Sequence, residues 1–170
     1  MEIVALDVDD VIAGFYPAMC ERFGRPVKQV DIWDGEKDCK WIVENFNEIK
    51  YDFHFWKNLP VICDPSSLNF EFDYYVSAFP EEMYDARMLW LLENGFPKKD
   101  LICTTDKLAT CKELGITVLV DDKKSTVEQL NAGGVLGVRF RPYYMIEDGQ
   151  DIERLDELPG FLLSEHLKEI

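Results

Sequence analysis

The sequence is poor in basic residues. It contains 18 lysines and arginines against 33 aspartates and glutamates, which gives a formal net charge of −15 at pH 7. Binding to nucleic acid or to an anionic membrane requires a surface rich in lysine and arginine. We therefore expect neither partner. A negatively charged ligand would have to be attracted by positive charge held locally, against the overall charge of the protein.

Cysteine and histidine do not form ligand patterns. The five cysteines are dispersed without a Cys-x-x-Cys pair, and there are only two histidines, His54 and His166. This spacing argues against a zinc site and against a disulfide framework, and it is typical of free thiols in a reducing compartment. The chain also lacks a Gly-x-x-x-x-Gly-Lys phosphate loop and any Ser-His-Asp or Cys-His arrangement.

Long apolar runs are missing as well. No segment approaches the length needed to cross a membrane, and the chain starts directly with a strand-like run rather than a leader pattern. We therefore expect a cytoplasmic protein. A length of 170 residues with 47% hydrophobic residues fits one globular domain with a small insertion. The sequence leaves the oligomeric state open between monomer and homodimer.

What the chain does contain is acidic residues placed directly after an apolar strand. Ile3 to Leu6 is a short run rich in β-branched residues, and Asp7, Asp9 and Asp10 follow within four positions. A single aspartate at this place would cap a helix or close a turn. Three would repel one another unless a positive group lies among them.

The same pattern recurs where the apolar run 116–120 ends in Asp121 and Asp122. In open α/β sheets, ligands bind at the carboxyl ends of the strands. If both strands are central in one parallel sheet, five carboxylates meet at one edge. Such oxygen ligands suit Mg²⁺, whereas Ca²⁺ is less favoured because no Asp-x-Asp-x-Asp-Gly loop occurs.

Strand-like and helix-like segments alternate along most of the chain. Further strands are predicted at residues 72–77, 100–104 and 135–140, with helices over 15–23, 81–93, 107–114 and 125–131. Such alternation calls for right-handed crossovers and an α/β fold with a doubly wound parallel sheet. Residues 151–170 are predicted to hold one or two short helices divided at Pro159-Gly160.

The alternation lapses between residues 25 and 69. We predict that residues 15–69 form a small, mainly helical cap inserted after the first strand, and that residues 1–14 and 70–170 form the α/β core. This stretch is unusually aromatic: ten of the 22 aromatic residues lie between residues 15 and 56, in about a quarter of the chain.

A cap this small needs large side chains for its own core, so most of these aromatic residues are expected to pack there. One or two are expected to contact a planar group of the substrate instead. The candidates are Phe15, Trp33 and Trp41.

Four motifs resemble those of the haloacid dehalogenase (HAD) superfamily of phosphohydrolases, and they occur along the chain in the same order as in that superfamily. Asp7-Val8-Asp9-Asp10-Val11 is similar to its DxDx(T/V) nucleophile motif, and Asp121-Asp122 is similar to its terminal acidic motif. Tyr75 to Pro80 resembles the second motif, a strand ending in Ser or Thr, and Thr104 to Lys107 resembles the lysine motif. More narrowly, Phe55-Trp56-Lys57-Asn58-Leu59-Pro60 and the Thr-x-Asp-Lys run resemble the 5′(3′)-deoxyribonucleotidase branch. Together these motifs span about four-fifths of the chain.

The resemblance implies a Rossmann-like, HAD-type fold and a Mg²⁺-dependent phosphomonoesterase that forms an aspartyl-phosphate. Asp7 would be the nucleophile, and Asp9 would be the general acid and base while its backbone carbonyl binds the metal. Asp10 stands where the family often has glycine, so it is expected to be a turn residue or a supporting group. The metal ligands implied are Asp7, Asp9, Asp121 and Asp122.

The phosphate-binding residues follow from the two middle motifs. Ser77 and Ala78 would bind phosphate oxygens, and Lys107 would neutralise charge on the transferring phosphoryl group. Lys107 lies fourteen residues before Asp121, which is longer than expected for the narrower branch. Lys112, nine residues before Asp121, is therefore the alternative lysine.

The substrate expected from this resemblance is a small phosphorylated molecule, with a (deoxy)nucleoside monophosphate favoured. Two alternatives stay open. One is a phosphatase for another small ester such as a sugar phosphate, and the other is a non-catalytic protein that binds metal and phosphate on the same fold.

Overall fold

The computed structural model describes all 170 residues and contains one five-stranded sheet. Its strands are β1 (Val4–Leu6), β2 (Tyr74–Ser77), β3 (Asp100–Cys103), β4 (Val118–Asp121) and β5 (Leu136–Arg139). They lie in the order β3-β2-β1-β4-β5, and every pairing is parallel. The strand order changes direction at β1, so the carboxyl ends of β1, β2 and β4 form the crevice where such folds bind ligands. The predicted parallel α/β sheet is confirmed.

Seven helices surround this sheet: α1 (Phe15–Arg22), α2 (Lys40–Ile49), α3 (Phe53–Lys57), α4 (Tyr84–Glu93), α5 (Lys107–Leu114), α6 (Lys124–Ala132) and α7 (Leu158–Lys168). Because side chains alternate along a strand, the two faces of the sheet have separate cores. Ala5 and Leu119 pack on one face with Leu130 of α6. Leu6 packs on the other face, in a larger cluster that contains Trp90 of α4. None of these helices is both long enough and apolar enough to cross a bilayer.

Local sequence signals fix some helix ends and not others. Helix α5 covers the predicted residues because the Asp106 carboxylate accepts the Ala109 N–H at 3.0 Å and Gly115 closes the helix with φ of +71°. The predicted division at Pro159-Gly160 is wrong, since α7 runs through both residues. Proline is tolerated in the first turn of a helix, where its missing N–H has no partner to lose.

The segment 15–69 contains α1, α2 and α3 and no strand. Its buried residues Met19, Ile49 and Trp56 belong to the same hydrophobic cluster as Leu6 of β1. The segment therefore packs directly on one face of the sheet, above the end of β1. Its treatment as a cap separate from the core stays a prediction, because the hydrophobic contacts between the two parts are continuous.

Candidate active site

Three buried carboxylates meet at the carboxyl edge of the sheet. Asp7 follows β1, and its N–H donates to the Val120 carbonyl at 2.9 Å, which holds it beside β4. Asp121 is the last residue of β4 and Asp122 comes next. One carboxylate oxygen of each aspartate lies within 4.8 Å of the others. The two acidic motifs, more than a hundred positions apart in sequence, thus form one cluster.

Lys107 is the positive group that this cluster requires. It is the first residue of α5, and its Nζ lies 2.5 Å from Asp121 Oδ2 and 3.2 Å from Asp7 Oδ1. Burial alone would lower the pKa of Lys107, but the two carboxylates outweigh it and raise this pKa, so the side chain is a cation. Lys112 is exposed near the other end of α5, and the structure therefore places Lys107 in the site.

One ammonium does not balance three carboxylates. Burial raises the pKa of Asp121 to about 6 and raises the pKa of Asp122 well above its ordinary value. Asp122 is fully buried, and its Oδ1 has no hydrogen-bond partner. An unpaired buried carboxylate must be neutralised by a proton or a cation. A donor set made only of carboxylate oxygens fits a hard divalent cation.

This imbalance makes a prediction about pH. The raised pKa values of Asp121 and Asp122 mean that the folded protein holds more protons than the unfolded chain between about pH 4 and pH 6 or above. Since stability falls with rising pH wherever the folded state binds more protons, the metal-free protein should gain stability on acidification from pH 8 to pH 5, with about 1 kcal/mol of the gain coming from Asp121 alone. Denaturant unfolding in the presence of a chelator measures this gain.

The matched variant is Asp122→Asn, which removes one of the buried charges but keeps the shape of the side chain. It should be more stable than the wild type at pH 8 and should show a shallower dependence on pH. A wild-type protein that loses stability between pH 8 and pH 6 would contradict the assignment of a charge imbalance to this cluster.

Asp9 faces the same cavity but lies outside the carboxylate cluster. Its Oδ1 accepts a 2.5 Å hydrogen bond from Arg87, which lies on α4 and is 1% exposed. Its carboxylate is not among the three that lie within 4.8 Å of one another, so the expected metal contact of Asp9 is through its backbone carbonyl. Burial raises the pKa of Asp9, and Arg87 opposes that shift. A carboxyl with a raised pKa is suited to general acid catalysis.

Sequence reasoning missed Arg87. Its guanidinium is in cation–π contact with the rings of Trp56 and Phe79, 5.2 and 5.7 Å from their centroids. A signal was present, because Arg87 falls at helical spacing between Met83 and Trp90, on the buried face of α4. An arginine on such a face needs a buried acceptor. The sequence does not indicate that the acceptor is Asp9.

Asp10 is a buried residue in the turn that follows β1. It is the one residue other than glycine with positive φ, at +62°, so the turn expected at this position is confirmed. Its Oδ1 accepts hydrogen bonds from the Tyr16 N–H, at 3.1 Å, and from the Tyr144 hydroxyl. Burial raises the pKa of Asp10 to about 7. Tyr144 is a second supporting residue that sequence reasoning missed.

A cavity of about 540 Å³ opens over Asp7 and Asp121 of the cluster. Ser77 and Ala78, at and after the end of β2, line it beside Asp7 and Lys107. The Ser77 Oγ is buried and has no hydrogen-bond partner, so it can donate to an incoming anion. The wall opposite is apolar and comes from the segment 15–69: Phe15, Trp33, Ile42, Val43, Phe46 and Trp56.

Trp41, the third aromatic candidate, lies outside this cavity. Its ring packs against Phe23, with centroids 6.0 Å apart, and lies under the Arg25 guanidinium at 4.5 Å. The α2 residues that face the cavity start one position later, at Ile42. The expectation that Trp41 contacts substrate is therefore not supported by its position, whereas Phe15 and Trp33 are brought to the cavity.

Comparison with known proteins identifies the fold. No protein-family model matches the sequence, and no curated protein matches it. Among solved structures, the crystal structure of an L-2-haloacid dehalogenase matches with a TM-score of 0.53 over 100% of both chains, at 14% sequence identity. The chain has the HAD fold. At this identity the likeness concerns the fold alone, and none of the comparisons supports the narrower resemblance to 5′(3′)-deoxyribonucleotidases.

Proposed function

We propose that this HAD-fold protein is a Mg²⁺-dependent phosphomonoesterase that acts through an aspartyl-phosphate intermediate. The proposal rests on how the two carboxylate oxygens of Asp7 are bonded. Its Oδ1 is held by the Val8 N–H at 2.8 Å and by Lys107 at 3.2 Å, while its Oδ2 makes no hydrogen bond and is free to attack. Lys107 and the unpartnered hydroxyl of Ser77 line the same cavity and can receive phosphate oxygens.

In the first step, Asp7 Oδ2 attacks the phosphorus atom of the bound ester. A bond forms between this oxygen and phosphorus, and the bond from phosphorus to the ester oxygen breaks. Protonated Asp9 gives its proton to the leaving oxygen, so an alcohol departs rather than an alkoxide. Arg87 fixes the direction of the Asp9 carboxyl, and Lys107 and Ser77 hold the equatorial oxygens of the phosphoryl group.

In the second step, a water molecule attacks the phosphorus of the aspartyl-phosphate. Asp9, now ionised, takes one proton from this water, and the bond between phosphorus and Asp7 breaks. Inorganic phosphate leaves, and both aspartates return to their starting states. Splitting the hydrolysis in this way replaces one difficult displacement by two easier ones.

The residues that fit Mg²⁺ are Asp7, Asp121 and Asp122. When bound, the cation would offset the repulsion between the attacking carboxylate and the anionic phosphate. The buried carboxylates outnumber Lys107 by three to one, and the Oδ1 of Asp122 is buried without a hydrogen-bond partner. The charge of this site therefore favours a divalent cation.

We further propose that the substrate is a nucleoside monophosphate. The cavity lies within the size range of small-molecule sites, and the aromatic residues on its wall, such as Phe15, Trp33 and Phe46, suit a planar base. A sugar phosphate is the alternative within the same chemistry. A sugar phosphate has no planar ring to pack against these aromatic residues, which makes it the less favoured substrate.

Carbon–halogen cleavage is a second candidate, because a dehalogenase shares the fold. Attack by Asp7 on carbon would use the same nucleophile. A halide leaves without a proton, however, so the first step of that reaction would not use the general acid that Asp9 and its buried partner Arg87 provide. The excess negative charge of the carboxylates beside Asp7 would likewise have no cation to balance it. Phosphate ester hydrolysis uses all of these groups and is therefore preferred.

The experiment that tests the proposal measures product release from a panel of substrates. The panel contains ribo- and deoxyribonucleoside 5′- and 3′-monophosphates, sugar phosphates, an aryl phosphate and an L-2-haloacid, each with Mg²⁺ and with chelator. We expect phosphate release that requires Mg²⁺ and is fastest with nucleoside monophosphates. Release from sugar phosphates alone would refute the nucleotide assignment, and halide release without metal would favour dehalogenation. Bound metal with no turnover of any substrate would indicate a binding protein.

A further inference from the structure

The cluster of carboxylates has one hydrogen bond to the segment 15–69, and its donor is Trp33. The indole Nε1–H of Trp33 donates to Asp122 Oδ2 at 2.8 Å, between residues 89 positions apart. No other hydrogen bond reaches the Asp122 carboxylate, and its Oδ1 is buried without a partner. Trp33 therefore determines by itself which oxygen of Asp122 is engaged and which is free.

The turn that carries Trp33 is tied to the body of the protein. Asp31 Oδ1 accepts the Trp33 N–H at 3.0 Å. Val30 makes two backbone hydrogen bonds to the segment after β5. Its N–H donates to the Tyr144 carbonyl at 3.0 Å, and its carbonyl accepts the Ile146 N–H at 3.1 Å. These hydrogen bonds hold the backbone at and just before Trp33.

The outer face of the same indole is covered by a charge. The Lys123 ammonium lies 4.7 Å from the centre of the Trp33 ring, in cation–π contact. Lys123 directly follows Asp122, so the two neighbours hold one indole between a carboxylate at its edge and an ammonium over its face. Although the residue as a whole is 47% exposed, its N–H is directed into the buried cluster.

We propose that Trp33 is a positioning residue that orients Asp122 to bind the cation. By holding Oδ2, the indole fixes the orientation of the Asp122 carboxylate, one oxygen of which lies within 4.8 Å of an oxygen of Asp7 and of Asp121. Partners that orient a metal ligand raise affinity because the ligand need not be ordered when the ion arrives. This inference rests on the proposed function, since it assumes that the cluster binds Mg²⁺.

The test compares two tryptophan-to-phenylalanine variants. Trp33→Phe keeps an aromatic ring on the cavity wall and removes only the N–H donor and part of the ring system. Trp41→Phe makes the same chemical change in the same segment, at a residue that does not line the cavity. Mg²⁺ affinity is measured by calorimetry on the full-length wild type and on both variants, without substrate.

We expect Trp33→Phe to weaken Mg²⁺ binding roughly 10-fold and Trp41→Phe to leave it within about twofold, as for a site without a shared contact. Tryptophan emission supplies a second measurement. Mg²⁺ should change the emission of the wild type and of Trp41→Phe, and the change should be much smaller in Trp33→Phe, which lacks the indole bonded to Asp122. Turnover by Trp33→Phe should recover at saturating Mg²⁺, which a residue acting only as a wall for substrate would not show.

Two results would overturn the inference, and they differ in what else they affect. If Trp33→Phe binds Mg²⁺ as tightly as the wild type, Trp33 does not position Asp122, and the phosphatase proposal is untouched. If the wild type itself binds no Mg²⁺, both the inference and the metal-dependent function are wrong.

Discussion

Replacing Asp7 with asparagine is expected to lower phosphate release at least about 10⁴-fold, as seen when a catalytic nucleophile or its activating partner is removed. An amide oxygen cannot form a stable phosphoryl intermediate at this position. The fold should persist, because the amide oxygen of the new side chain can still accept the Val8 N–H bond that Asp7 Oδ1 accepts at 2.8 Å. The measurement is Mg²⁺-dependent phosphate release in the steady state, together with mass analysis of the peptide that contains residue 7 for a phosphoryl group.

The control for this variant is Asp73→Asn. Asp73 is exposed at the other end of the sheet, where its Oδ2 accepts the Val4 N–H at 2.9 Å. The same chemical change there should leave turnover unaltered. If Asp7→Asn hydrolyses the substrate at the wild-type rate, Asp7 is not the nucleophile and the two-step mechanism is wrong.

Replacing Lys107 with methionine is expected to give the largest loss of stability among the site variants. Methionine fills similar space but leaves Asp7 and Asp121 without the ammonium that now lies 3.2 and 2.5 Å from them. Removing one partner of a buried ion pair costs about 3 kcal/mol or more. For a protein of this size, that corresponds to a melting temperature roughly 6–12 °C lower at pH 8. Thermal unfolding in the presence of chelator is the measurement.

Two further conditions separate an electrostatic loss from a packing defect. Lowering the pH to 5 should recover part of the lost stability, because the carboxyl of Asp121, with a pKa already raised to about 6, takes up a proton. Mg²⁺ should also recover part of it by supplying positive charge. Lys112→Met on the exposed end of α5 is the matched control and should change stability by less than about 0.5 kcal/mol. A loss that neither acid nor Mg²⁺ relieves would contradict the electrostatic account.

The sheet and the acidic cluster could be predicted from the sequence because their signals are local. The apolar runs before Asp7 and Asp121 predict buried strands, and parallel strands with a right-handed crossover bring their carboxyl ends to one edge. Helix α5, which positions Lys107, was predictable for the same reason, since its capping residues Asp106 and Gly115 adjoin it in sequence.

The parts of the site that could not be predicted depend on contacts between distant residues. Arg87 meets Asp9 across 78 positions, and Trp33 meets Asp122 across 89. Nothing in the residues around either partner encodes such a pairing. The different positions of Trp33 and Trp41 have a similar origin, because the path of an irregular turn decides which tryptophan reaches the cavity.

The hydrogen bond from Tyr144 to Asp10 has a consequence for the order in which parts of the protein fold during synthesis. It joins Asp10, in the turn after β1, to a residue 134 positions later in the chain. A ribosome that has released the chain as far as Asp122 has already produced every carboxylate of the cluster, yet Asp10 still lacks the Tyr144 hydroxyl, the second of its two buried donors. The turn after β1 therefore gains its last hydrogen bond only after the segment beyond β5 has emerged. We expect a nascent chain ending before Tyr144 to hold this turn less firmly than the complete chain.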